Sequence, residues 1–174
     1  MSEGRKLSIL EKAIRLVPGY KGYKAKEERR DNDHLFRMHL VDRMEKLMAA
    51  QREVVKGLEG PGALSLVSDF DRISKKLEKA TDEVRFADRG YRGWFDMHKV
   101  HEGELDRLYG FDVGLVEDIE QLEQAFESLS SAGRDPDLIR SSVNEIVSLL
   151  NDFSAKMTSR KDLMVDLEKN RPID

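Results

Sequence analysis

The chain has 174 residues, 39% of them apolar and 37% charged, with a formal net charge of −4 and no cysteine. That length suits one domain with a buried core, and the lack of cysteine excludes disulfides, thiolate metal sites and cysteine nucleophiles. No apolar run approaches the ~18 residues that cross a bilayer, and the N-terminus shows no signal-peptide h-region, so the expected location is cytoplasmic.

In chain order, a short amphipathic helix is predicted from Ser8 to Val17. Ser8 and Glu11 have capping-box spacing, Leu10, Ile14 and Val17 share a face, and Pro18-Gly19 ends it. A second helix is expected from near Lys24 to Leu58, with Val41, Met44, Met48, Val55 and Leu58 as its seam, flanked by Leu40, Leu47 and Val54 and interrupted by Gln51. Its opening run, Lys24 to Asp33, mixes charges at helical spacing and reads as a solvated start. Gly60-Pro61-Gly62 is a turn.

A third helix follows from Ala63 to Asp88, with Val67, Phe70, Ile73, Leu77, Ala80, Val84 and Ala87 facing inward. The fourth runs from Glu102 to Leu129 with Leu105, Leu108, Val116, Ile119, Leu122 and Phe126 inward. Gly110 and Gly114 within it read as sites of close helix approach or bending. Asp135-Pro136 caps the last helix, whose seam of Ile139, Val143, Ile146, Leu150, Phe153 and Met157 is the most regular in the chain. Arg160 interrupts that seam before Met164 and Leu167, so a frayed end or kink is expected near Thr158-Ser159.

No segment alternates as a strand does. The four long helices of about 26 to 36 residues would each extend ~40–55 Å. The expected fold is all-α: an elongated antiparallel four-helix bundle with a short N-terminal amphipathic helix. One domain spans 1–174, with 1–23 as basic helix and first elbow and 24–170 as the bundle.

Two copies of one phrase stand out from this helical language. Gly19-Tyr20-Lys21-Gly22-Tyr23 and Gly90-Tyr91-Arg92-Gly93-Trp94 lie about 70 residues apart and place glycines around large rings. Since helix two leaves the first elbow and helix three returns toward it, the two elbows are expected to be neighbours. Their rings either pack across that end or form a binding surface with Lys21, Lys24, Arg89 and Arg92. Tyr20, Lys21, Tyr23, Lys24, Arg89, Tyr91, Arg92 and Trp94 are thus the candidate binding residues.

Charge is unevenly placed. Residues 1–26 hold seven basic residues against Glu3 and Glu11, and residues 103–131 hold eight acids against Arg107. The two segments either meet inside the fold or leave a basic head for an anionic surface. A sequence pI of about 5.7 with no coherent basic face disfavours nucleic acid.

His98 and His101 sit three apart beside Asp96, which makes them weak metal candidates. There is no Glu-x-x-His of the di-iron bundles, no phosphate loop, no nucleophile elbow and no dinucleotide fingerprint. No cofactor is expected.

Pro18 to Tyr23 with Lys26-Glu27 and Arg29-Arg30, then Ala87 to Asp96 and Leu108 to Asp112, form a pair of motifs. In them, over roughly residues 15 to 120, the chain resembles an uncharacterised prokaryotic helical-bundle family of conserved hypothetical proteins. The resemblance implies that the two elbows form a unit, and it carries no activity with it.

The leading functional expectation is a non-enzymatic scaffold or adaptor that binds a protein partner through the elbows, with a homodimer through a long helix face as one form. The alternatives are a peripheral membrane protein using the basic amphipathic N-terminus, and a metal-dependent helical-bundle enzyme.

Overall fold

A computed structural model describes residues 7–170. Five α-helices follow one another: α1 (Ile9–Leu16), α2 (Arg29–Lys56), α3 (Ala63–Arg85), α4 (Glu102–Ser131) and α5 (Pro136–Lys169). No strand occurs among the described residues. Short 3₁₀ turns occupy Ala87–Gly90 and Arg92–Asp96, within and around the second elbow, and Lys26–Glu28, between the first elbow and α2.

The local start signals work as the residues suggest. Ser8 Oγ accepts from the Glu11 N–H at 3.2 Å while Glu11 Oε2 accepts from the Ser8 N–H at 2.8 Å, a closed capping box. Asp135 Oδ1 accepts from the N–H groups of Asp137 and Leu138, and Pro136 occupies the first position of α5.

The long helices pack as a ring in which α2 touches α3 and α4, and α5 touches the same two. Cross-links give the directions. Arg85 meets Glu45, and Gln51 meets Phe70 and Ser74, so α2 and α3 are antiparallel. Asp112 meets Arg160 and Asp118 meets Lys156, so α4 and α5 are antiparallel too. Arg72 to Asn144 and Lys76 to Asn151 run upward together, which makes α3 and α5 parallel, and Asp33 near Asp112 with Arg43 on Glu123 does the same for α2 and α4. Consecutive α3 and α4 therefore occupy opposite corners. The connection through residues 86–101 crosses that end of the bundle, which is why the second elbow is long.

α1 lies on α4, with Ala13 and Val17 buried. Of the basic head, Lys12 and Arg15 ride on α1 with exposed side chains, and Glu3, Arg5 and Lys6 lie outside the described residues.

Several seam positions differ from the periodic reading. On α2 the buried row is Asp33, Arg37, Leu40, Met44, Leu47 and Gln51, stepping by four and three, while Val55 is exposed and Met48 only half-buried. Gln51 is a member of that row rather than a break in it, because its amide donates to the Phe70 carbonyl at 2.8 Å and to Ser74 Oγ at 2.7 Å. On α3, Leu66 takes the inward place expected of Val67, since 66, 70, 73 and 77 keep the step and 67 is turned about 100° away.

α5 runs without interruption past Thr158 and Ser159, whose hydroxyls bond back to the carbonyls of Ser154 and Ala155. The expected break is absent because Arg160 is buried and fully employed. The opening of α2 is not wholly solvated either: Arg29, Asn32 and Asp33 are all buried. In α4, Gly114 lies under the alkyl chain of Lys156, whereas Gly110 faces open space.

Candidate functional site

The two elbows meet. The rings of Tyr23 and Trp94 are 5.5 Å apart edge to face, Tyr20 stands 5.7 Å from Tyr23, and Tyr109 of α4 stacks on Tyr23 at 5.8 Å. Tyr20, Tyr23, Tyr91 and Trp94 are each at most 2% exposed. The rings are therefore core, and a binding surface made of the rings themselves is ruled out by their burial.

The same phrase serves two different backbone purposes. Gly19 and Gly22 adopt φ of +82° and +85°, a region other residues enter at a cost. Gly90 and Gly93 have ordinary φ; there the missing Cβ makes room for the side chains of Lys161 and Glu168 of α5.

Beneath the rings lies a charged cluster that the sequence reading did not single out. Arg160 of α5 is fully buried and donates from Nε to Asp112 Oδ1 at 2.7 Å, from Nη2 to Asp33 Oδ1 at 2.9 Å and to the Tyr23 hydroxyl at 3.0 Å, and from Nη1 to the Tyr91 hydroxyl at 3.1 Å. Tyr20 and Tyr23 donate to Asp112 Oδ2 at 2.8 and 2.6 Å, and Tyr91 donates to Asp33. Arg37 closes the far side: its Nε donates to Asp33 Oδ2 at 2.8 Å and its Nη1 donates to the carbonyls of Val84 and Arg85. Two guanidinium groups face two carboxylates, so the interior charge balances, as buried charge must.

Burial is the main cause of the electrostatic shifts. It raises the carboxyl of Asp112 against the pull of Arg160, and it raises Tyr23 and Tyr20, with Asp112 adding to both. Tyr91 is raised by burial although Arg160 opposes it. For Arg160 itself burial works against the charge, but Asp112, Tyr91, Tyr23 and Asp33 outweigh it and hold the group above the ordinary arginine value. These tyrosines are hydrogen-bond donors locked in their neutral form. The cluster is turned on itself and links α2, α4, α5 and both elbows.

Arg29 is a separate buried cation. It donates to the carbonyls of Tyr23 and Met97, and its guanidinium lies 5.5 Å from the Trp94 ring centre. Burial lowers its pKa. The Trp94 indole nitrogen is buried with no acceptor.

The charged elbow residues, in contrast, remain outside. Lys21, Lys24, Arg89 and Arg92 are exposed, Arg92 lying 3.9 Å from Asp88 and Arg89 lying 4.5 Å over the ring of exposed Phe86. Beside that ring is a cleft of about 290 Å³ between the second elbow and α5, lined by Glu83, Phe86, Ala87, Gly90, Met157 and Lys161.

The metal candidates are not gathered. Asp96 faces Arg30 at 3.8 Å, His98 is exposed, and the His101 N–H donates to Glu104 at the start of α4. Among the described residues no group of three or more metal-ligating side chains comes together. Nor is any described helix long and apolar enough to cross a membrane.

Comparisons of the chain with protein-family models, with curated proteins and with solved structures find no match in any of the three.

Proposed function

We propose that the chain is a helical scaffold that binds a protein partner at the elbow end, through the cationic rim rather than through the rings. The observation that carries this reading is the exposed Phe86 ring under Arg89, at the mouth of the cleft formed by Gly90, Met157 and Lys161. An arginine stacked on an exposed ring beside an apolar recess is the composition of an interface anchor. Arg92, Lys21 and Lys24 supply further positive charge at the same end, which suits a partner presenting an apolar side chain flanked by carboxylates.

The buried cluster supports this reading from below. It joins both elbows to three long helices and so holds the rim in one geometry, which limits the ordering cost of binding.

A paired capture experiment tests the proposal. Wild type and a Phe86→Ala/Arg89→Glu variant would be used as bait in native lysate, with circular dichroism confirming equal helix content. Loss of one partner from the variant alone is the expected result. Equal recovery with both baits would remove the second elbow from the binding surface.

A membrane role is favoured by one observation, the exposed Ile14 flanked by exposed Lys12 and Arg15 on α1. The remaining apolar face of α1 lies on α4, which leaves little to insert. Flotation with anionic vesicles at low salt separates this reading from the first.

A further inference from the structure

Arg29, Arg37 and Arg160 are the buried arginines among the described residues. Arg160 pairs with Asp33 and Asp112, and Arg37 pairs with Asp33. Arg29 pairs with no carboxylate among the described residues. Its Nε donates to the Tyr23 carbonyl and its Nη1 to the Met97 carbonyl, which fixes the guanidinium without neutralising it. Burial works against its charge, and Glu27 supports that charge only from a distance.

Position adds to the cost. Arg29 opens α2, a helix of 28 residues with no side-chain cap, and the positive end of a helix disfavours a cation. Buried charge is ordinarily paired. Here it is held in place and left uncompensated.

Two donors at this spot also lack acceptors. Arg29 Nη2 makes no hydrogen bond among the described residues, and it is not enclosed, so it opens to the surface. The indole nitrogen of Trp94, whose ring centre lies 5.5 Å from the same guanidinium, is enclosed and equally without an acceptor. Buried donors are normally satisfied, so unpaired N–H groups beside an uncompensated cation ask for an anionic oxygen.

Access limits the size of what supplies it. Arg29 is only 2% exposed, which admits the tip of a small group and keeps out a folded surface. Lys24 directly follows Tyr23, whose carbonyl holds Arg29 Nε, and its side chain is exposed. It places a second positive charge one residue from that anchor. Asp96, next to the other anchor at Met97, faces Arg30 at 3.8 Å.

We propose that Arg29 anchors an oxyanion site at the elbow end, taking one terminal phosphate or carboxylate group on Nη2, with Lys24 at its mouth. The site shares no residue with the cleft beside Phe86, and it does not depend on the partner proposed there.

Trp94 is the single tryptophan of the chain, so its emission reports on the site. The full chain would be titrated with inorganic phosphate, and separately with acetate, to about 50 mM at an ionic strength held constant with chloride, a range suited to millimolar affinity. The expected result is a saturable change in emission with at least one of the two anions, and a melting temperature that rises along the same curve. The anion that saturates at lower concentration gives the ligand class. Arg29→Met should abolish the saturation. Because that variant also frees two backbone carbonyls, Lys24→Glu at an exposed position provides a second test, and it should raise the midpoint about threefold or more. Arg89→Glu, on the Phe86 side, should move the midpoint by less than about twofold. A response that chloride reproduces overturns the proposal, as does saturation that persists in folded Arg29→Met or a midpoint indifferent to Lys24→Glu. A midpoint that follows Arg89 instead would place the anion on the rim and overturn it as well.

Discussion

Arg160 Nε and Asp112 Oδ1 lie 2.7 Å apart, both fully enclosed, at the point where α4 and α5 cross beneath the elbows. Neither group has water to fall back on. Removing Arg160 leaves Asp112 and Asp33 short of countercharge, so Arg160→Met should lower the unfolding free energy by about 3–5 kcal/mol. Adding Asp112→Asn should recover part of that loss, since the amide oxygen still accepts from Tyr20 or Tyr23 while one buried charge disappears. Urea unfolding of the wild type, both single variants and the double variant measures the coupling. Strictly additive losses would show that the two residues do not act as a pair.

The same cluster fixes the response to alkali. All four tyrosines of the chain, Tyr20, Tyr23, Tyr91 and Tyr109, are held above the free value, in each case chiefly by burial. Their neutral forms are favoured in the folded state. Stability is therefore complete below the unfolded tyrosine pKa of about 10 and falls as pH rises above it. Ultraviolet titration should show almost no tyrosinate at pH ~10 in the folded protein, then a cooperative rise coinciding with loss of helix. A gradual, near-ordinary titration with the helices intact would contradict the buried geometry.

How far the sequence revealed this site follows from particular residues. The helices, the caps at Ser8 and Asp135 and the meeting of the elbows could be read from spacing, because each depends on contacts within one or two turns or on chain direction. The charged cluster was harder to see. Asp33, Arg37 and Gln51 on α2, Asp112 on α4 and Arg160 on α5 each occupy a regular step of an otherwise apolar row. Periodicity treats such residues as interruptions, although a polar residue in step with a seam also signals a buried partner. What periodicity lacks is the pairing: Arg160 meets Asp33 across 127 residues and Tyr23 across 137. Exposure of Val55 and Val67 escaped for the opposite reason, since an apolar side chain one step off the seam still looks inward on a two-turn window.

His39 sets the response to acid. Burial lowers its pKa, Arg43 and Lys46 lower it further, and Asp42 and Glu123 oppose them; its Nε2 is buried without a partner. A histidine kept neutral in the folded state binds fewer protons there than when unfolded. Its contribution is thus present above the unfolded value of about 6.5 and is lost as pH falls below it. The urea midpoint should drop between pH 7 and pH 5, and His39→Gln should reduce the drop. An identical pH slope in the variant would assign the effect to other groups.

The glycines of the two elbows should respond differently to the same substitution. Gly22 has φ of +85°, and a Cβ there would lie 2.7 Å from the Tyr109 hydroxyl and 2.9 Å from Leu10 Cδ1. Backbone strain and overpacking act together, so Gly22→Ala should cost about 2–4 kcal/mol. At Gly93 the backbone is ordinary and the obstacle is the carboxylate of Glu168, the far end of a side chain that turns aside. Gly93→Ala should therefore cost about 1 kcal/mol or less, and Glu168→Ala in the same chain should cancel it. Thermal or urea unfolding of these variants decides between the two origins. Equal losses at both glycines, unaffected by Glu168→Ala, would mean that the second elbow requires glycine for its backbone after all.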